Sequence, residues 1–334
     1  MRPLPPSAPL ATFFLDAPAS AIDAWRSLRP DRTPQRLVLG EHYWIALTFA
    51  RLRAAGMAVR LDNRLPASGA VVFYAGDKRA VWRQVQTTGS HALLVAVRSD
   101  RNPVGFADVE IVQNAASADG CRSLHVPHWP QPGLVPRDPA RGDRPRTLLF
   151  PGTAHNLHPG FGDARWRRFL DARGLTLRCH GADGGPQRAW PDWHDVDLLL
   201  AVRASGARLV RNKPGWKLFN AWLAGVPAIL GPESAYRELR QGPLDYLEVD
   251  GPEQAMTAID RLLDEPGLHR AMVDNGLARG SAVGTEATLS RWRRLVEEDL
   301  VPRADAQLFQ PAPAWKRGAR EAGMRLRRVL SGAA

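Results

Sequence analysis

Three cations gather around one turn in the C-terminal half of this sequence. Arg203 closes the apolar run Asp197-Leu-Leu-Leu-Ala-Val-Arg203; after a polar loop comes Asn212-Lys-Pro-Gly-Trp-Lys-Leu-Phe-Asn220, which carries Lys213 and Lys217. The chain has four lysines, at 78, 213, 217 and 316, so half of them fall within five residues. The apolar run reads as a buried strand, and Pro214 suits the first turn of a helix over 213–224 that Gly225 and Pro227 end. In an open α/β sheet the strand's C-terminal end and the next helix N-terminus frame the ligand crevice, where N–H groups favour an anion. At spacing i, i+4 the two lysines would share one helical face, with Arg203 at the same edge. Such a trio suits a diphosphate and would stabilise charge on a leaving phosphate. The plainer alternative is that both lysines are solvated and Arg203 caps a neighbouring carbonyl.

The elements that would hold these residues alternate strand with helix, the pattern of mostly parallel sheets. In the first half, strands are predicted over 11–15, 57–61, 69–75, 92–97, 109–112 and 123–126. An amphipathic helix over 41–55 stops at Gly56, and another spans 77–86. The Pro-rich stretch from His128 to Pro139 cannot be helix or central strand and reads as a linker. The pattern then restarts, with strands over 147–150, 176–179, 196–202, 228–230 and 246–249 and helices over 162–172, 213–224, 235–240, 253–264 and 267–278. At 334 residues the chain is about twice the usual single-domain length. The expected division is 1–135, 136–300 and a basic tail over 301–334.

Composition narrows the class. With 44% hydrophobic and 24% charged residues the chain is an ordinary globular protein, which excludes collagen, coiled coil and wholesale disorder. No apolar run approaches the roughly 18 to 20 residues that span a bilayer. Cys121 and Cys179 are too few for a disulfide framework and lack metal-ligand spacing, which suits a reducing cytoplasm. The net charge of +11 invites nucleic acid, but nearly all the cations are Arg, which reads as coding bias, and no nucleic-acid partner is expected. No Gly-x-Ser-x-Gly elbow or Gly-x-x-x-x-Gly-Lys-Ser/Thr loop is present, which argues against an α/β-hydrolase or a P-loop enzyme.

The segment Lys213-Pro-Gly-Trp-Lys-Leu-Phe-Asn-Ala221, ending in Gly225-Val-Pro227 and a buried strand, resembles the donor-binding domain of GT-B-type glycosyltransferases, in particular that of glycosyltransferase family 4 (group 1). Val126-Pro-His-Trp-Pro-Gln-Pro-Gly-Leu-Val-Pro136 resembles their interdomain crossover, and 246–275 their closing segment. The likeness covers about residues 90 to 290 and is clearest from 195 onward. It implies an α/β, GT-B-like fold: two Rossmann-like domains whose parallel sheets face across a cleft, an acceptor domain first and a nucleotide-sugar domain second. It further implies a nucleotide-sugar donor, a saccharide or lipid-linked acceptor, and no cofactor beyond the donor. Arg203, Lys213 and Lys217 would meet the diphosphate. Where the family often carries two glutamates this chain has Asn212 and Asn220; Asn220 would reach the ribose, although an amide brings no charge. Glu233, Ser234 and Tyr236, in the loop after strand 228–230, would face the donor, or would simply open a helix.

Acceptor activation calls for a group from the first domain. Asp100, which follows the apolar strand 92–97, is the first candidate, with His128 and Glu41 behind it. Asp195-Val-Asp197 looks like a metal motif of another transferase fold, but it leads into a buried strand at the wrong end, so no metal role is expected. In the tail, Trp315, Gly318, Ala322, Met324, Leu326, Val329 and Leu330 interleave with Lys316, Arg317, Arg320, Arg325, Arg327 and Arg328. A helix over 315–330 would lie on anionic lipid, or else pack back on the first domain. The expectation is thus a cytoplasmic, peripherally bound, metal-independent glycosyltransferase of cell-surface polysaccharide synthesis. A nucleotide-sugar epimerase and a non-catalytic glycan-binding or partner protein are the rivals.

Overall fold

A computed structural model describes residues 9–180, 190–203, 212–309 and 313–330. The chain divides into two compact units, one from the described parts of 1–113, 117–126 and 288–334, the other from 114–116 and 127–287. The stretch from 288 onward therefore belongs with the first unit, and the Pro-rich linker with the second.

The first unit is built on a six-stranded sheet: β1 Ala11–Phe14, β2 Val59–Asp62, β3 Ala70–Tyr74, β4 Leu93–Ser99, β5 Val109–Val112 and β6 Ser123–His125. The order is β2-β1-β3-β4-β5-β6, and every pairing is parallel. Both faces of β3 are buried, as are those of β4 up to Arg98, which is why these strands read as continuous apolar runs rather than alternating ones. The stretch expected as one amphipathic helix over 41–55 instead opens with a π-helical segment, His42–Ala46, and continues as a helix, Leu47–Ala54. Tyr43, Trp44, Ile45, Ala46, Phe49 and Leu52 are all buried, so the segment is apolar nearly all round and sits inside the unit.

The helix Thr285–Arg294, a π-helical segment Leu295–Leu300 and the helix Val301–Phe309 return the chain to this unit. Trp292, Val296, Leu300 and Ala304, one turn apart, are buried, and the Trp292 ring lies 6.3 Å from that of Phe13 in β1. The last helix, Ala314–Leu330, docks on the same unit. Arg317 is 1% exposed and donates to the Ala92 carbonyl at 3.0 Å and to Asp108 at 2.6 Å. The Glu321 carboxylate accepts from the Gly105 N–H at 2.6 Å and lies 3.6 Å from the Lys78 ammonium. Gly105 is required there, because a Cβ would fall 2.4 Å from the Glu321 Cα. The side chains of Arg328, Val329 and Leu330 lie outside the described residues, as do residues 204–211, which the sequence suggests as a polar loop.

The second unit carries a five-stranded parallel sheet of β7 Thr147–Phe150, β8 Thr176–Cys179, β9 Leu198–Ala201, β10 Ala228–Leu230 and β11 Leu247–Glu248, ordered β11-β10-β9-β7-β8. Helices Ala164–Arg173, Trp216–Ala224, Ser234–Leu239, Pro252–Asp264 and Leu268–Gly280 pack around it over an aromatic-rich core that includes Trp166, Trp193 and Trp222. Among the described residues no helix is long and apolar enough to cross a membrane.

A candidate anion site at the C-terminal edge of the second sheet

Because β7 to β11 run parallel, their C-terminal ends share one edge, and the sequence candidates collect there. Arg203 follows β9, Glu233 follows β10, and Lys217 is the second residue of the helix Trp216–Ala224. The helix starts three residues later than the Lys-Pro motif suggested: Gly215 is its N-cap, and Lys213 and Pro214 lie in the approach. The cause is local, since a residue ahead of proline is pushed out of helical backbone. Lys213 and Lys217 are therefore not an i, i+4 helical pair and do not share a helix face.

Lys217 is 3% exposed, and its ammonium stands 4.3 Å from the centre of the Phe150 ring at the end of β7. Gly152 leaves room for this stack: a Cβ there would lie 3.1 Å from the Phe150 ring and 3.6 Å from the Lys217 Nζ. Burial first, then repulsion from Arg203, pushes the Lys217 amine well below the ordinary lysine value, while Glu233 partly opposes the shift. Glu233 is as deeply buried, and desolvation pushes its carboxyl up against the pull of Arg203, Lys217 and Lys213. The Arg203 Nε comes within 3.4 Å of the Glu233 carboxylate, yet neither Glu233 oxygen nor that Nε makes a hydrogen bond to a described residue. Buried polar atoms without partners are rare. One carboxylate lies among Arg203, Lys213 and Lys217 at a helix N-terminus; an anion arriving there would favour the protonated Lys217 amine and could accept from the Arg203 Nε, and the dipole adds to the attraction.

The surrounding residues position this cluster. The Asn114 amide donates to the Ser234 Oγ at 2.9 Å and to the Lys213 carbonyl at 3.2 Å, tying together the two segments that carry the charges. Asn220 is fully buried, and its Oδ1 accepts from the Gln131 N–H at 3.0 Å. Gln131 in turn donates to the Pro191 carbonyl and accepts from the Trp193 indole. Asn220 thus anchors the Pro-rich segment to the helix, and its oxygen is engaged there. Tyr236 is buried in the apolar core beside Tyr246, their ring centres 6.3 Å apart, so it supports the Glu233 loop from below. His128, expected from the first domain, groups with the second unit; its Nδ1 donates to the Trp129 carbonyl at 2.7 Å and its ring stacks 6.0 Å from Trp216. Asp195 and Asp197 are both held by arginines. Arg178 pairs with Asp195, and Arg137 and Arg141 pair with Asp197.

In the first unit, exposed Asp100 follows β4 as expected, next to Ser99, whose φ of 54° is the one positive value among the described non-glycine residues. Sequence reasoning missed Asp77. It follows β3, and burial, with help from Glu41 and Asp16, raises its carboxyl to about 7. One Asp77 oxygen is buried without a partner among the described residues. The sequence signal is a carboxylate shortly after a buried strand, at the start of the predicted helix 77–86. At the same edge the Tyr74 ring lies between Gly40 and Gly76, where a Cβ would approach within 2.5 and 2.4 Å, and its hydroxyl accepts from Arg101 at 3.0 Å.

No family model matches the sequence, and no curated protein does either. Solved structures do match. Anabaena Alr3699/HepE, solved with UDP and glucose, superposes with a TM-score of 0.52 at 12% identity over 86% of this chain and 99% of that one. An α1,3-fucosyltransferase gives a TM-score of 0.49 at 10% identity over 90% and 94%. The GtfA/B complex gives 0.44 at 14% identity over 76% of this chain; the chain spans 60% of that one. At such identities the likeness to the Anabaena protein shows the fold, and with the two parallel sheets it gives the chain the GT-B-like α/β architecture of two Rossmann-like units.

Proposed function

We propose that the chain is a metal-independent GT-B-type glycosyltransferase that moves a sugar from a nucleotide-activated donor to a saccharide or lipid-linked acceptor. The observation that carries the reading is the buried Lys217, set with Arg203 and Lys213 around an incompletely bonded Glu233 at a helix N-terminus. A diphosphate would accept from the Lys217 ammonium and from the Arg203 guanidinium, whose Nε has no hydrogen bond to a described residue. Breaking the bond from the sugar to phosphate builds charge on the leaving nucleoside diphosphate, and a preorganised cationic pocket stabilises that charge most. The Anabaena structure with UDP and glucose supports a nucleotide-sugar ligand. The acceptor hydroxyl must lose a proton. We assign that step to a first-unit carboxylate, Asp100 or Asp77, with His128 held in one tautomer by the Trp129 carbonyl. Cell-surface polysaccharide synthesis on the cytoplasmic side, with the protein peripheral to the membrane through 315–330, completes the reading.

Thermal unfolding in the presence of a panel of nucleotide sugars tests it, because a ligand that binds only the native state raises stability by mass action. One or more nucleotide sugars should raise Tm, and nucleotide should appear once an acceptor saccharide is added. Stabilisation with turnover of the sugar itself and no dependence on acceptor would support an epimerase. No stabilisation by any nucleotide or nucleotide sugar overturns the reading.

A further inference from the structure

The last helix is docked the wrong way round for a soluble protein. An amphipathic helix normally buries its apolar face. Here Arg317 and Glu321 are buried against the first unit. Trp315 and Leu326, at 70% and 60% exposure, are two of the four large hydrophobic side chains exposed among the described residues. At 3.6 residues per turn, Trp315, Ala319, Ala322 and Leu326 fall within roughly 60° of arc, on the side opposite Arg317 and Glu321. All four are exposed. The outward stripe is edged by exposed Lys316 and Arg327 on one flank and by Arg325 on the other. Lys78 and Trp82 of the helix Lys78–Thr88 lie against Glu321 and Gly318, and that helix adds exposed Arg79 and Arg83.

We infer that this face is a docking surface for an anionic lipid bilayer, with the helix lying in the plane of the headgroups. An apolar stripe bordered by cations complements a surface that is apolar inside and negative at its rim, and a tryptophan prefers that boundary. The polar anchors explain the geometry: the Arg317 pair with Asp108 and the Glu321 bond to the Gly105 N–H fix the helix by its charged face, so the apolar face is presented outward. A helix already formed and bonded to the first unit needs no folding on the membrane, which removes an ordering cost from binding. This deepens the membrane contact proposed above and rests on that part of the reading; it does not depend on sugar transfer.

The test is sedimentation of the full chain with vesicles, of phosphatidylcholine alone or with about one third phosphatidylglycerol. The wild type should pellet with the anionic vesicles and release as salt rises from about 0.05 to 0.5 M. Trp315→Ser/Leu326→Ser should lower the partition coefficient roughly tenfold or more, and Lys316→Gln/Arg327→Gln by about fivefold per charge. All these side chains are exposed, and nucleotide-sugar affinity measured on the same preparations should stay unchanged. No vesicle association, association unchanged in the Ser variant, or equal binding to neutral vesicles overturns the inference. So does a solution dimer that the Ser variant dissolves in the absence of lipid binding, which would assign the face to a second copy of the chain.

Discussion

Replacing Asp197 by Asn should unfold the second unit well before the wild type. Asp197 is fully buried at the start of β9, and it accepts from Arg137 at 2.7 and 3.0 Å, from Arg141 at 2.7 and 2.8 Å, and from the N–H groups of Arg146 and Thr147, both at 2.9 Å. Burial alone would raise its carboxyl; the Arg141 guanidinium, the two backbone N–H groups and Arg137 outweigh it and hold the group far below the usual carboxylate range. The isosteric amide turns one acceptor oxygen into a donor facing donors and leaves two guanidiniums without a counter-charge, one of them 7% exposed. Breaking a buried pair by removing one partner typically costs about 3–5 kcal/mol. For a unit of this size that corresponds to a Tm lowered by roughly 6–20 °C. The pH dependence follows in sign: the folded value is depressed, so the stabilisation is present above the unfolded value of about 4 and fades as pH falls through the folded one. Urea denaturation of both proteins at pH 7 and at pH 3–4 measures it. A difference under about 1 kcal/mol at pH 7, or one that grows as pH falls, refutes the reasoning.

Asp77 behaves oppositely, because its carboxyl is raised to about 7 in the folded state. Its protonated form stabilises the fold at low pH and that contribution is lost as pH rises toward 7, so Asp77→Asn should gain on the order of 1–3 kcal/mol over wild type at pH 8 and nothing at pH 4, read by chemical denaturation. Gly76→Ala would drive a Cβ to 2.4 Å from the Tyr74 ring, and a loss of about 1–3 kcal/mol is expected in the same assay. Asp100→Asn should lower turnover while nucleotide-sugar affinity is kept, and normal turnover removes Asp100 from proton transfer.

The strands were legible because fully buried parallel strands are continuous apolar runs: β4 and β9 stand out in the sequence, and their places in the sheets follow from alternation with helices. The cations of the candidate site were legible through the scarcity of lysine. Their geometry was not, since the Lys213-Pro214 dipeptide signals a helix start without saying whether Lys213 lies inside it. The approach of Arg203 to Glu233, the Asn114 staple and the raised Asp77 carboxyl all join residues far apart in sequence, and no spacing rule reaches them. The last helix is the sharpest case. Its periodicity places an apolar stripe opposite Arg317 and Glu321, and the usual rule buries the stripe. Only the partners Asp108, Gly105 and Lys78, more than two hundred residues earlier, show that the charged face is the buried one.

Nucleoside diphosphate binding to Lys217→Met, followed by isothermal titration calorimetry with UDP, GDP and ADP, tests the central claim most directly. Methionine keeps most of the buried volume while removing the amine, so the fold should persist. A charge-assisted hydrogen bond is worth about 1.5–3 kcal/mol, so affinity for whichever nucleotide the wild type binds should fall roughly ten- to a hundredfold. A folded variant that binds that nucleotide as tightly as the wild type contradicts the account.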